Sequence, residues 1–191
     1  MKNTIRVSIV GPPHAGKSTL SQQVNLKLKV SGYSSAYIEE YVVDYITDVG
    51  NPTLFQHQAF IFEEQLKKEK RYDGLKDYII CDSASWTSYV YGRSLVDRNL
   101  NAHDIVAINQ LHKKALETIN YWDYIFYIPL LDNYVLDGVR YHSKKESILL
   151  SSKIKGWLEI ENVCFTDLSD ISLNDRVDLI YNTITSKNEV R

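Results

Sequence analysis

Gly11-Pro12-Pro13-His14-Ala15-Gly16-Lys17-Ser18 carries the spacing G-x-x-x-x-G-K-[ST], in which each residue type answers to one chemical need. Glycines let the backbone curl until successive N–H groups point inward at phosphate oxygens. The start of a helix adds partial positive charge at the same place. Lys17 supplies a full charge to the β- and γ-phosphates, and the Ser18 hydroxyl can ligate Mg²⁺. Gly16 is expected to tolerate a side chain least. Pro12 and Pro13 remove two donor N–H groups and stiffen the first half of the loop. His14 can touch phosphate, although a solvent-facing loop histidine is the plainer reading. Thr19 either supports the α-phosphate or extends the first helical turn. ATP with Mg²⁺ is the cofactor this segment calls for.

Carboxylates that could act on the other reactant sit where apolar runs end. Asp82 closes Tyr78-Ile79-Ile80-Cys81, and from there it can hold a water on Mg²⁺ or accept a proton from an attacking hydroxyl. The simpler reading makes Asp82 or Ser83 a cap for the next helix. Glu39 and Glu40 follow Ser35-Ala36-Tyr37-Ile38; Glu40 can hold ribose hydroxyls or act as a general base, or merely place charge at a helix start. Asp44 and Asp48 read as solvated helix surface. Asp137-Gly138-Val139-Arg140 opens a polar stretch through His142, Lys144 and Lys145, from which Arg140 can reach a transferring phosphoryl group. Arg93 is a candidate for an acceptor phosphate, and Gln65 for a base-reading amide, with an exposed polar position as its alternative. Trp86 and Tyr89 could stack on a flat ring, though most aromatics must serve the core.

These residues need a scaffold that brings strand ends together. Ile5 to Val10 reads as a first strand, and Lys17 to Val30 as a helix with Leu20, Val24 and Leu28 on its apolar face. Further strands are expected at Ser35–Glu39, Tyr78–Cys81, Tyr124–Ile128 and Val163–Phe165. Helices are expected through Tyr45 and Ile46, over Thr53–Arg71, Ser85–Arg93 and His103–Ile119, up to Leu158, and over Asn174–Ile184. Strands alternating with helices imply a parallel sheet covered on both faces, with ligands at the carboxyl ends of its strands.

The length of 191 residues suits one core, so a single domain over 1–191 is expected, with a lid at about 132–145. A formal net charge of -2 gives no overall pull on polyanions, so a nucleic-acid partner is open but not favoured. Cys81 and Cys164 sit far apart in apolar runs and read as buried small hydrophobes of a reducing compartment. No secretory hydrophobic region and no run of ~20 apolar residues is present. A soluble, cytoplasmic protein without membrane contact is the expectation, and homodimer formation is left open.

The sequence resembles the P-loop nucleoside and nucleotide kinases, most closely the ribosylnicotinamide kinase domain of bacterial NAD metabolism, and more distantly the thymidylate kinases. The resemblance runs over nearly the whole chain. It rests on Gly11 to Thr19, on Glu40-Tyr41 with Asp44-Tyr45, on Gln65, on Ile80-Cys81-Asp82-Ser83 and on Asp137-Gly138-Val139-Arg140. It implies an α/β P-loop NTPase fold with a parallel five-stranded sheet in the order 2-3-1-4-5. It also implies Asp82 in a metal or base role, Glu40 and Tyr41 at the acceptor, and Arg140 at the lid. Two departures touch the acceptor side. Val43 stands where that family often has arginine, and Asp82-Ser83-Ala84 replaces its more usual Asp-Thr-Asp.

The expected activity is transfer of the γ-phosphoryl group of ATP to a nucleoside hydroxyl or a nucleoside monophosphate. Glu40 and Asp82 point to the hydroxyl, Arg93 to the monophosphate. A kinase for a hydroxymethylated base in DNA is one alternative. A regulatory P-loop ATPase is another, although no water-positioning residue or switch loop is evident in the sequence.

Overall fold

The computed structural model describes residues 3–96, 102–131 and 142–186. Their strands are β1 (Ile5–Val10), β2 (Ser35–Ile38), β3 (Tyr78–Asp82), β4 (Tyr124–Tyr127) and β5 (Thr166–Asp167). All pair in parallel in the order β2-β3-β1-β4-β5, the order the resemblance implied. Side chains alternate along each strand and feed two apolar layers. Val7, Ile9, Tyr78, Ile80, Phe126 and Ile128 fill one. Val10, Ile79, Cys81, Ile125 and Tyr127 fill the other. Burial on both faces is why these strands read as nearly unbroken apolar runs.

Helix α1 (Lys17–Val30) covers the first layer through Leu20, Val24 and Leu28, beside α7 (Leu173–Thr185) with Ile180 and Ile184. The second layer is closed by α3 (Phe55–Lys70), α4 (Thr87–Ser94), α5 (Ala102–Ile119) and α6 (Lys144–Ile160). Phe62, Val90, Leu111 and Ile154 are its contacts. Phe62 and Ile154 are fully enclosed, so truncating either to alanine should cost about 3 kcal/mol through lost burial and the cavity left behind. The short α2 (Tyr41–Asp48) leads from β2 to α3.

Three expectations are corrected. The last strand begins at Thr166, not Val163: α6 runs to Ile160 and ends with Asn162 in a left-handed conformation (φ 53°), and Val163 N–H closes back on Leu158 C=O at 2.9 Å. Residues 163–165 therefore return the chain, with Val163 and Phe165 packed on the core, while Cys164 is exposed, not buried. Trp86 is not available to a ligand, since it is fully buried and stacks on Trp157 at 5.0 Å. Tyr89 stacks on His112 at 4.6 Å. Among the described residues no helix is long and apolar enough to cross a membrane.

Candidate active site

The loop from Gly11 to Gly16 leaves β1 and turns directly into α1. Two of its glycines are required for different reasons. At Gly11 a Cβ would lie 2.4 Å from the Ile128 carbonyl oxygen, so the limit is space against the end of β4. At Gly16 the limit is conformation, φ 81°. Gly11 is thus at least as intolerant as Gly16. His14 also has positive φ (63°) and is buried, contrary to the solvent-facing reading. Helix α1 begins with no side-chain cap and no acidic residue in its first turn. No side chain of its own neutralises the positive end of its dipole, which suits an anion. Lys17 is buried, and its Nζ donates to the Pro12 carbonyl at 3.0 Å. Ser18 and Thr19 follow on the first turn, Ser18 half-buried and Thr19 exposed.

Asp82 is brought alongside this loop by strand register. It pairs with Ile9, two residues before Gly11, and Ser83 N–H donates to the Ile9 carbonyl at 3.0 Å. Helix α4 starts only at Thr87, after Trp86, so neither Asp82 nor Ser83 caps it. The Asp82 carboxylate is 1% exposed. Its Oδ2 accepts a long bond of 3.3 Å from the Tyr37 hydroxyl, while Oδ1 has no hydrogen-bond partner among the described residues. Burial, and then the nearby Asp82 charge, push the Tyr37 phenol upward, so it stays a donor. An orphaned buried carboxylate oxygen is costly unless something arrives to meet it. Hard oxygen donors, few in number, suit Mg²⁺ completed by phosphate and water. No group of three or more His, Cys, Asp or Glu among the described residues could hold a metal.

Sequence reasoning missed the polar stripe of α3. Gln58, Gln65 and Glu69 are all buried, in line with Ile61 and Phe62 on the face turned to the sheet. Gln65 is therefore not an exposed amide. Its Oε1 accepts from Tyr41 N–H at 2.7 Å and its Nε2 donates to Cys81 Sγ at 3.4 Å, tying the start of α2 to the end of β3. Glu69 is fully buried and accepts from Ser85 N–H at 2.5 Å and Ser85 Oγ–H at 2.9 Å. It holds the turn that carries Asp82 into α4. Burial pushes this carboxyl up to about 8 despite the Ser85 bonds, which pull the other way. Burial likewise raises the Cys81 thiol well above its usual value, so Cys81 is not a nucleophile. The signal was present: 58, 62, 65 and 69 share one helical stripe, and three of the four are polar.

Between the loop and this stripe lies a cleft lined by Pro13, Lys17, Glu40, Gln58, Thr87, Tyr91 and His142, with Val42, Ile46, Ile61 and Ser88. Glu40 occupies the N-cap position of α2 without its side chain capping the helix. Gln58 is 4% exposed and makes no hydrogen bond to the described residues. Other sequence candidates fall elsewhere. The Tyr41 ring packs on Phe60 and under Lys68 instead of lining the cleft. Arg93 is exposed on the last turn of α4, away from the cleft. Arg140 and residues 132–141 of the expected lid lie outside the described residues. A second hollow, on the far side of the loop, is lined by Gly16, Thr19, Gln23, Leu131, Asn174 and Arg176. Arg176 is buried there, its Nε donating to Ile171 C=O at 3.1 Å, and burial lowers its pKa.

No curated protein matches the sequence. Deoxyadenosine kinase from M. mycoides, solved with bound dATP, has a TM-score of 0.65 at 18% identity, over 95% of this chain and all of that one. NadR protein in complex with NR gives 0.76 at 16% identity over 99% of this chain, and its complex with NAD and AMP-PNP gives 0.73 at 15%. This chain spans about half of NadR, 53% and 51% in the two structures. At such identities the likeness is one of fold. The AAA domain family model matches residues 6–176, from β1 into α7, and the chain belongs to that family.

Proposed function

We propose that the chain is an ATP- and Mg²⁺-dependent kinase acting on a hydroxyl of a nucleoside-type acceptor. One observation carries the reading: Lys17 of the phosphate loop and the carboxylate Glu40 line the same cleft. A γ-phosphoryl group held by Lys17 thus faces a space bounded by a carboxylate suited to a sugar hydroxyl. Ser18 and Asp82 would hold Mg²⁺, which would supply charge neutralisation at the phosphates. Asp82 fits this because a buried carboxylate oxygen of its side chain is otherwise unmet. The donor's nucleoside has room in the hollow beside Gly16, Thr19 and Arg176.

Within the cleft the amide that would read the acceptor is Gln58, in place of Gln65. Its donor and acceptor are unsatisfied by the described protein, and a flat heterocycle or carboxamide presenting both can meet them. That NadR is solved with NR, and deoxyadenosine kinase with dATP, supports a nucleoside as the acceptor class. Arg140 remains the candidate for the lid contact. The AAA domain match favours a second reading, a regulatory ATPase. Turnover of ATP with and without a panel of deoxynucleosides, ribonucleosides, ribosylnicotinamide and hydroxymethylated DNA separates the two. A phosphorylated acceptor with strongly stimulated turnover supports the kinase. Equal turnover without any acceptor, and no phosphorylated product, overturns it.

A further inference from the structure

His142 has no part in the phosphate loop by sequence, yet it stands in the same cleft as Lys17 and Glu40. Its ring meets the Tyr91 ring edge-on at 6.1 Å. The next residue, Ser143, caps α6 through a box in which Glu146 Oε2 accepts from Ser143 N–H and Oγ–H, both at 2.7 Å. Among the described residues the titratable groups around the imidazole are His14 and Lys17 from the loop and α1, Glu40 from the β2–α2 junction, and Glu146 from α6. Burial lowers the pKa of His142; Glu146 opposes this, while His14 and Lys17 add to it. His14 and Lys17 are the buried members of this set, while Glu146 is exposed and bonded to Ser143. A triphosphate tail favours the protonated ring, because it brings several negative charges onto Lys17 and the loop amides.

We propose that binding of a nucleoside triphosphate drives a proton onto His142, making it a second cation of the phosphoryl-binding region beside Lys17. This rests on the ATP-binding reading above. Before binding, the neutral ring avoids a repulsive pair with Lys17. After binding, the imidazolium faces the γ-phosphate end of the ligand from the cleft wall. Binding is then linked to proton uptake, and affinity weakens as pH rises from the free-state towards the bound-state pKa and levels off above it.

The test is calorimetric titration with Mg²⁺ and AMP-PNP in two buffers of different ionisation heat, from pH 7 to 9, on the wild type, His142→Gln and His14→Gln. The wild type should take up a substantial fraction of one proton near pH 7.5 and lose up to about tenfold in affinity per pH unit between the free-state and bound-state pKa values. His142→Gln should lose most of the uptake and match wild-type affinity near pH 9, where both are neutral. His14→Gln should keep most of the uptake. Histidine ring NMR on the wild type is the second measurement, with five histidines to resolve. The His142 signal should titrate at least one unit higher with AMP-PNP bound. Binding without proton uptake, uptake that survives in His142→Gln, or an unmoved His142 titration each overturns the proposal. No binding by the wild type at all overturns the phosphate-loop reading, and this one with it.

Discussion

The ammonium group of Lys17 lies folded across its own loop, donating to the Pro12 carbonyl at 3.0 Å while 2% exposed. A buried cation with one neutral partner is poorly compensated, and an incoming phosphate improves its environment. Lys17→Ala removes that charge and, among the described residues, one hydrogen bond. We expect turnover to fall at least about 100-fold with an unchanged far-UV circular dichroism spectrum. Near-normal turnover of a folded variant would remove the donor site from the scheme.

Asp82 is the next most exposed to test, because its Oδ1 oxygen is buried without a partner among the described residues. Asp82→Asn keeps the shape and the link to Tyr37 but discards the charge. Turnover should drop about 100-fold at saturating Mg²⁺, and the Mg²⁺ concentration for half-maximal rate should rise. Chelation with EDTA should silence the wild type. A variant whose magnesium dependence matches the wild type would leave Asp82 as a structural residue.

Local features were legible in the sequence, and features set by orientation were not. Gly11 to Ser18 could be read because the whole anion cradle lies within eight consecutive residues with a strand before and a helix after. Asp82 was legible as the polar end of an apolar strand. The functional side of α3 was not. Phe55, Ala59 and Leu66 marked a helix but left its rotation ambiguous, and the buried stripe proved to carry Gln58, Gln65 and Glu69 beside Ile61 and Phe62. Polar residues at core positions look like surface until tertiary contacts show what they bind. Trp86 erred the other way: its neighbour Asp82 suggested a ligand role, while its true partner Trp157 is 71 residues downstream.

Gln58 and Gln65 make a paired test, since both are buried amides on one helix face with opposite hydrogen-bond accounts. Gln58→Leu removes an amide that bonds no described residue, so stability should hold or improve slightly. Acceptor KM should rise roughly 10- to 100-fold with ATP KM unchanged. Gln65→Leu strands Tyr41 N–H and should lower stability by about 1–3 kcal/mol. Urea unfolding and steady-state kinetics on both variants measure this. A stable Gln65→Leu with damaged acceptor use, beside a Gln58→Leu with none, would return the reading role to Gln65.

Glu69 gives a pH dependence whose direction is fixed by its burial. Its carboxyl titrates near 4.5 in the unfolded chain and is pushed to about 8 in the folded one. Between those values the folded state keeps a proton the unfolded state has released, so stability falls as pH rises through the window. The stabilising contribution is complete below about pH 4.5 and gone above about pH 8. Glu69→Gln stays neutral throughout while retaining an oxygen that can accept from Ser85 N–H. Urea midpoints measured from pH 5 to 8.5 should decline more steeply for the wild type than for Glu69→Gln. The turn from Asp82 to Ser85 hangs from this carboxyl, so turnover should also fall at alkaline pH more steeply in the wild type than in the variant. Parallel stability curves for the two proteins would mean that Glu69 is ionised throughout, with the two Ser85 bonds outweighing its burial.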